Sequence, residues 1–283
     1  MDIVEILKAI VQGIVQGITE WLPISSTGHV LLLNRIWPME VRPEFFDVFK
    51  VVIQLGSILA VVVLYFHKLN PFSPKKSQRE KKDTLTLWGK VLVASIPAGV
   101  VGLALNDLVD STLSLPVVIA WALIIYGILF IWMESRRKEP RIRTLQDMSY
   151  KTALGMGVFQ MLALIPGTSR SGSTILGATL LGAARPVAAE FSFFMAIPVM
   201  LGASGFKILK FLMDGLSFTG TEWAILLVGT VVSFLVSLAA IRFLMNFIKK
   251  HSFQPFGWYR IALGILVLLL VALQFIPNVV MEG

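Results

Sequence analysis

Residues 16–29 read QGITEWLPISSTGH, and residues 160–174 read QMLALIPGTSRSGST. Each stretch starts as an apolar helix, breaks at a proline (Pro23, Pro166), and then offers small hydroxyl and glycine residues. The first adds Glu20 and His29; the second adds Arg170. Ionisable groups are costly in apolar surroundings and mark sites when they occur there. These two clusters are therefore where the chemistry of the chain should lie.

Outward from them, several windows are long enough to cross a bilayer, which takes about 20 mostly apolar residues. The clearest are 115–133, 223–241 and 261–276; 46–66, 87–105 and 191–213 are less clean. The 283 residues are 56% hydrophobic, with a mean hydropathy of +0.79. An all-α, polytopic membrane protein is the reading, with 1–283 as one membrane domain. The net charge of +8 does not argue for nucleic acid. Its basic residues collect in two connections, 67–90 (Lys68, Lys75, Lys76, Arg79, Lys81, Lys82) and 135–150 (Arg136, Arg137, Lys138, Arg141, Arg143). Such excess marks the cytoplasmic side of membrane proteins. Cysteine is absent, which excludes disulfides and thiolate metal sites. The N-terminus has neither the basic start nor the cleavage site of a signal peptide and is expected to belong to the fold.

Residues 3–22 carry Ile3, Ile6, Leu7, Ile10, Ile14 and Ile18 at helical spacing, with Glu5, Gln12, Gln16 and Glu20 along another face. Gly13 and Gly17 suit close helix contact. Pro23 should end this helix, and Ser25 or Ser26 can cap a short second one through about Arg35. A long span, the first basic loop, two spans joined by an acidic turn (Asp107, Asp110) and the second basic loop follow. The order then repeats: a broken pair, 151–165 and 169–183, and three spans near 190–213, 223–248 and 257–276. GIVQ (13–16) matches GVFQ (157–160), and PISSTG (23–28) matches PGTSRSG (166–172). Each match alone is weak; their shared order and offset carry the repeat, about 1–140 and about 150–283. One re-entrant pair plus three spans is an odd number of crossings, so the second half enters from the opposite face. The two proline breaks then meet inside the membrane.

Gln16 and Glu20 share a helix face. Glu20, beside the break, could hold a divalent cation or orient a proton carrier; the plain alternative is a helix-end carboxylate reaching interfacial water. His29, near Ser25, Ser26 and Thr27, is a candidate general acid–base; alone it would be an ordinary core histidine. Arg170 needs an anionic partner, and it sits with Ser169, Ser171 and Gly172 at an expected helix N-terminus, which favours phosphate. The rival is an internal salt bridge to Glu20. Glycine and hydroxyl turns with one arginine, one carboxylate and one histidine suit phosphoryl transfer, which depends on positioning and charge stabilisation. No G-K-[ST] loop occurs, and the membrane acid-phosphatase pattern fails because Leu176 stands where its histidine would be.

At these residues the chain resembles the undecaprenyl-diphosphate phosphatase family of the bacitracin-resistance type. The likeness covers essentially the whole chain and rests on QGITEWLPISSTGH (16–29), VIQLGSILAV (52–61), PGTSRSG (166–172) and EFSF (190–193). It implies hydrolysis of the lipid diphosphate to the monophosphate, a divalent metal (Mg²⁺ or Ca²⁺), the inverted repeat, and an outward-facing site in the bacterial inner membrane. By position, Glu20, Ser26, His29 and Arg170 are implied as catalytic, with Ser25, Thr27, Ser169, Ser171 and Thr174 binding substrate. Glu20 and Gln16 are implied for the metal. Many members have glutamate where this chain has Gln16, so Gln16 would contribute its amide oxygen. Implied partners are the polyprenyl diphosphate, the membrane, bacitracin indirectly through the shared lipid, and an open possibility of a homodimer. Ser26, His29 or a water could attack phosphorus.

A lipid flippase or transporter is the alternative, because inverted repeats with broken helices are a transporter feature. A structural scaffold would leave Arg170 unexplained. The basic loops place 67–90 and 135–150 in the cytoplasm and both termini outside. Cysteines introduced at Ser77 and Gly283 should label from opposite sides of intact cells; labelling from one side would remove the inverted arrangement.

Overall fold

Helix α1 (Ile3–Thr19) is built inside out: Glu5, Gln12, Gln16 and the adjoining Glu20 are buried, while Ile3, Leu7, Ile14 and Ile18 are exposed. That inversion suits a helix whose outer surroundings are apolar. The computed structural model describes residues 3–104, 115–136 and 139–279. Asp107, Asp110, Arg137, Lys138 and Gly283 lie outside the described residues.

Among the described residues the chain is helical, with one isolated bridge between Ile142 and Ala183. After α1 come α2 (Ser26–Ile36), α3 (Pro43–Leu64), the short α4 (Phe66–Leu69), α5 (Gln78–Ala104) and α6 (Pro116–Ser135). Then follow α7 (Tyr150–Met161) with a 3₁₀ turn (Leu162–Leu164), α8 (Arg170–Leu180), α9 (Arg185–Met213), α10 (Gly220–Lys250) and α11 (Gln254–Ala272). Six of these, α3, α5, α6, α9, α10 and α11, are long and apolar enough to cross a membrane, matching the six windows expected. The chain is a multi-pass membrane protein.

Local chemistry sets the starts. Proline occupies the first turn of α3, α6, α9 and α11, where its missing N–H costs nothing. Thr219 and Glu222 form a capping box on α10. Ser77 and Glu80 do the same at α5: the Ser77 N–H donates to Glu80 Oε2 at 2.7 Å, and the Glu80 N–H donates to Ser77 Oγ at 3.3 Å. Residues 78–90, read from their charges as loop, are therefore helix. The first helix also stops earlier than expected, at Thr19 rather than against Pro23. The residue before a proline is disfavoured in helical geometry, and a turn through Leu22 takes up the difference.

Contacts fix the directions. Arg42 bonds Glu222, and Ser57 Oγ lies 2.8 Å from Ser233 Oγ, so α3 and α10 run parallel. Ser204 Oγ donates to Val51 O, and the Tyr65 ring meets Phe194, so α9 runs antiparallel to α3. Small residues bring α6 and α11 together. A Cβ on Gly127 would stand 2.6 Å from Gly257 O, and one on Gly264 would stand 2.7 Å from Ala120 O. Lys90 Nζ donates to Leu145 O, which puts both basic connections at one end.

The short helices form two hairpins. The Glu40 N–H donates to Glu5 Oε2, so the chain returns after α2 to the end where α1 began. Leu181 packs over Gly155 and Phe159 over Gly177, so α8 returns along α7. Helix α1 lies on α10 in parallel, with Gly13 and Gly17 against Gly229 and Ser233. Helix α7 lies on α5, with Gly157 against Ala94 and Tyr150 beside Gly89. The first hairpin thus starts at the end of the bundle opposite the basic connections, and the second starts at the basic end.

Close approach is a testable constraint. A Cβ on Gly56 would stand 2.2 Å from Thr230 O, whereas one on Gly99 meets nothing within 4 Å among the described residues. Gly56→Ala should lose about 1–3 kcal/mol of stability by overpacking, and Gly99→Ala should lose none. Thermal unfolding in detergent measures both; equal midpoints would contradict the packing.

Candidate active site

The two proline breaks are built alike. Ser25 and Ser169 hold left-handed backbone, with φ of 76° and 73°. This conformation is strained for residues other than glycine and concentrates at functional sites. Each serine caps the helix that follows, its Oγ accepting from the N–H of Gly28 (3.3 Å) or Gly172 (3.0 Å). Side chains at those glycines would crowd the caps: a Cβ on Gly28 would lie 3.2 Å from Ser25 Oγ, and one on Gly172 would lie 3.1 Å from Ser169 Cβ.

Between the turns stands a buried ion pair, Arg170 Nη2 to Glu20 Oε1 at 2.8 Å. The salt bridge weighed from sequence as a rival to a phosphate role is thus present. Glu20 Oε2 accepts from Ser26 Oγ at 2.6 Å and from Gln16 Nε2 at 3.0 Å. Arg170 Nη1 donates to Ser192 O at 2.8 Å, and its guanidinium lies over Trp21. Ser171 Oγ donates to Glu20 O, and Thr174 Oγ1 lies 2.6 Å from Ser192 Oγ. Residues 150 apart in sequence share one hydrogen-bonded network.

A cavity of about 190 Å³ opens on this network. Its wall carries the polar side chains of Glu20, Ser25, Ser26, Thr27, Ser169 and Arg170 together with the apolar ones of Ala98, Leu164, Val199 and Met200. The remaining expected residues stand behind the wall. Gln16 supports Glu20, Ser171 joins the turns, and Thr174 joins α8 to α9. His29 lies one turn into α2, with Nδ1 2.7 Å from Ser25 O and Nε2 2.7 Å from Tyr259 Oη.

Sequence reasoning missed Arg260, Gln54, Gln160, Ser192 and Tyr259. Arg260 is fully buried and reaches both turns, donating to Pro23 O, Gly167 O and Thr168 O at 2.8–2.9 Å. An arginine inside the apolar run 256–272 was the available signal. Gln54 and Gln160 line the cavity. Gln160 lies on α7 as Gln16 lies on α1, and among the described residues neither polar atom of its amide has a partner.

Among the described residues no three His, Asp or Glu side chains gather as a metal cluster. The oxygen donors still have the right chemistry for a hard cation: the Glu20 carboxylate, hydroxyls, and Gln16 Oε1, which is buried and has no hydrogen-bond partner among the described residues. One carboxylate is a thin set, so oxygens from an anionic ligand would have to complete it.

Removing one member of a buried ion pair leaves an uncompensated charge and costs about 3–5 kcal/mol. Glu20→Gln and Arg170→Met should each lower the unfolding temperature strongly. Glu20→Gln/Arg170→Met should regain much of that stability while remaining inactive. A double variant as unstable as the sum of the singles would contradict the coupling.

The family described as bacitracin resistance protein BacA matches residues 9–266. An undecaprenyl-diphosphatase of Enterococcus faecalis is 56% identical over 263 residues, covering 92% of this chain and 95% of the relative. Undecaprenyl-diphosphatase 1 of Clostridioides difficile is 56% identical over 94% of this chain and 96% of its own length. An undecaprenyl-diphosphatase of Lactiplantibacillus plantarum is 57% identical over 93% and 97%. With a match from end to end of the bundle and a broken-helix site carrying the motifs quoted above, the chain belongs to the bacitracin resistance (BacA) family of undecaprenyl-diphosphatases.

Proposed function

We infer that this protein is an integral-membrane phosphatase that hydrolyses undecaprenyl diphosphate to undecaprenyl phosphate and phosphate, recycling the cell-wall lipid carrier. One observation carries the reading beyond family membership: the Ser26–Glu20–Arg170 network lines a cavity whose wall also carries the apolar side chains of Ala98, Leu164, Val199 and Met200. A diphosphate on a prenyl chain calls for both kinds of lining.

In the proposed reaction Arg170 takes phosphate oxygens, exchanging part of its pairing with Glu20 for the substrate and stabilising charge as it develops. Ser26 Oγ, already bonded to the carboxylate, attacks the terminal phosphorus and passes its proton to Glu20 Oε2. The bond from that phosphorus to the bridging oxygen breaks, and undecaprenyl phosphate leaves. Water then attacks the phosphoserine and gives a proton to His29, while the proton held on Glu20 returns to Ser26 Oγ as the phosphorus–Oγ bond breaks and phosphate leaves. Ser25, Thr27 and Ser169 line the space for the remaining phosphate oxygens, with Ser171 and Thr174 holding the second turn in place. A divalent cation, Mg²⁺ or Ca²⁺, would supply charge neutralisation on the diphosphate, held by Glu20 and Gln16 Oε1. His29 is the proposed proton donor to the departing lipid phosphate, which requires an imidazolium protonated on Nε2 as well as on Nδ1, and Tyr259 to release Nε2.

The bundle is proposed to be an inverted repeat. Supporting this, exchanging the halves maps α1 on α10 onto α7 on α5, and α3 on α10 onto α9 on α5. The same exchange carries the Gly127–Gly257 contact to that of Gly264 with Ala120. The cavity is proposed to face outward, because its lining on α5 and α9 lies toward the end opposite the basic connections. The repeat also keeps the flippase reading in play, and detergent separates the two, since no membrane remains to cross. Purified protein should release phosphate from a long-chain prenyl diphosphate, lose that activity in EDTA and regain it with Mg²⁺ or Ca²⁺. No release in detergent would overturn the phosphatase. Full activity of Glu20→Gln in chelator would overturn the metal.

His29→Ala should lower turnover by about 10²–10⁴, the usual reach of acid–base catalysis, with diphosphate binding kept. Tyr259→Phe, which removes only the tether on Nε2, should stay within about threefold of the parent, a small change for a single hydrogen bond. Lost binding with intact turnover in His29→Ala would make the histidine a substrate anchor.

A further inference from the structure

Arg260 stands outside the chemistry assigned above, and its surroundings are unusual. Its side chain is completely buried in α11 and makes no ion pair among the described residues. Nη1 donates to Pro23 O in the first turn at 2.9 Å. Nη2 donates to Gly167 O at 2.8 Å and Thr168 O at 2.9 Å in the second. The guanidinium lies over the Tyr126 ring, 5.4 Å from its centre, and Tyr126 Oη accepts from Ser173 Oγ on α8. Gly172 leaves the room it needs, since a Cβ there would lie 3.3 Å from Nη1.

Two consequences follow from this geometry. A planar fork with separate nitrogens can hold two turns at a fixed separation, which a single ammonium cannot do. Charge does not cancel either: Glu20 and Arg170 neutralise each other, while among the described residues Arg260 faces carbonyl dipoles and a ring. A buried cation of that kind is stabilised when an anion enters nearby.

We propose that Arg260 is the positioning residue of the site: its fork sets the separation of the two turns, and its uncancelled charge draws the anionic head group into the cavity. This rests on the phosphatase reading, deepens it, and accounts for how one site arises from two halves of the chain. The two roles divide between kinetic constants. Charge acts on substrate in both ground and transition states, whereas the separation of the turns decides whether Ser26 and Arg170 engage the same phosphorus.

The test compares Arg260→Lys, which keeps the charge but not the fork, with Arg260→Gln, which loses both. For Arg260→Lys, kcat should fall at least tenfold with KM within threefold of the parent. For Arg260→Gln, kcat should fall and KM should also rise at least tenfold. A readout independent of activity uses the absence of native cysteine. Spin labels on cysteines at Leu22 and Leu164, one in each turn, should report one narrow distance in the parent and a broadened or longer one in Arg260→Lys. If Arg260→Lys cannot be recovered folded, Gly172→Ala, which crowds Nη1 from the other side, should broaden the same distance. Parental kcat together with an unchanged distance in Arg260→Lys would overturn the positioning role, as would an unchanged distance in Gly172→Ala. An unchanged KM in Arg260→Gln would overturn the role of the charge. Should the parent release no phosphate, the phosphatase reading fails while the distance measurement still decides what Arg260 does.

Discussion

A carboxylate and a guanidinium inside an apolar bundle stabilise each other by pairing and by hydrogen bonds to their other polar atoms. Glu20 and Arg170 pair in this way across 150 residues of sequence: the carboxylate takes Arg170, Ser26 and Gln16, while Arg170 also takes Ser192 and leaves Nε without a partner among the described residues. The irregular backbone of both breaks depends on the same contact. Non-helical chain at membrane depth persists only when protein buries it or it lines a cavity, and here each turn is covered by the other, with Arg260 holding carbonyls of both. The ion pair is at once what closes the fold and what exposes two charged groups to one cavity.

That double role reshapes how the sequence should be read. Treating the Glu20–Arg170 salt bridge and a phosphate-binding Arg170 as rivals was too strict, because a pair at the wall of a cavity can be structural at rest and exchange partners when an anion arrives. The serine turns carry a similar duality. Ser25 and Ser169 cap helices, so their hydroxyls are partly committed to backbone, whereas Ser26 points its oxygen at a carboxylate and keeps access to the cavity.

Much of the fold was legible because membrane helices announce themselves by length and apolarity, and because proline and small hydroxyl residues mark the breaks. The start of α5 was misread because its first turns are charged; the Ser77–Glu80 capping box was the signal that outweighed composition. Partners distant in sequence were not legible. Arg260 binds carbonyl oxygens, which every residue has, so no side-chain pattern points to its acceptors. Tyr259, which holds His29 from 230 residues away, looks in sequence like an interfacial aromatic. The proposed internal repeat rests in the sequence on scattered short matches, as expected where helix packing constrains a few small positions such as Gly17 and Gly157 and leaves the apolar remainder free to drift.

The most direct measurement is a ¹³C–¹⁵N dipolar distance in lipid bilayers between the side-chain carboxylate of Glu20 and the guanidinium of Arg170. Strong coupling, corresponding to the direct N–O contact of 2.8 Å, is expected in the resting protein, weakening when a non-hydrolysable prenyl diphosphate binds. Absence of coupling in the resting protein would mean that the two turns do not meet, and that the site described here is not formed.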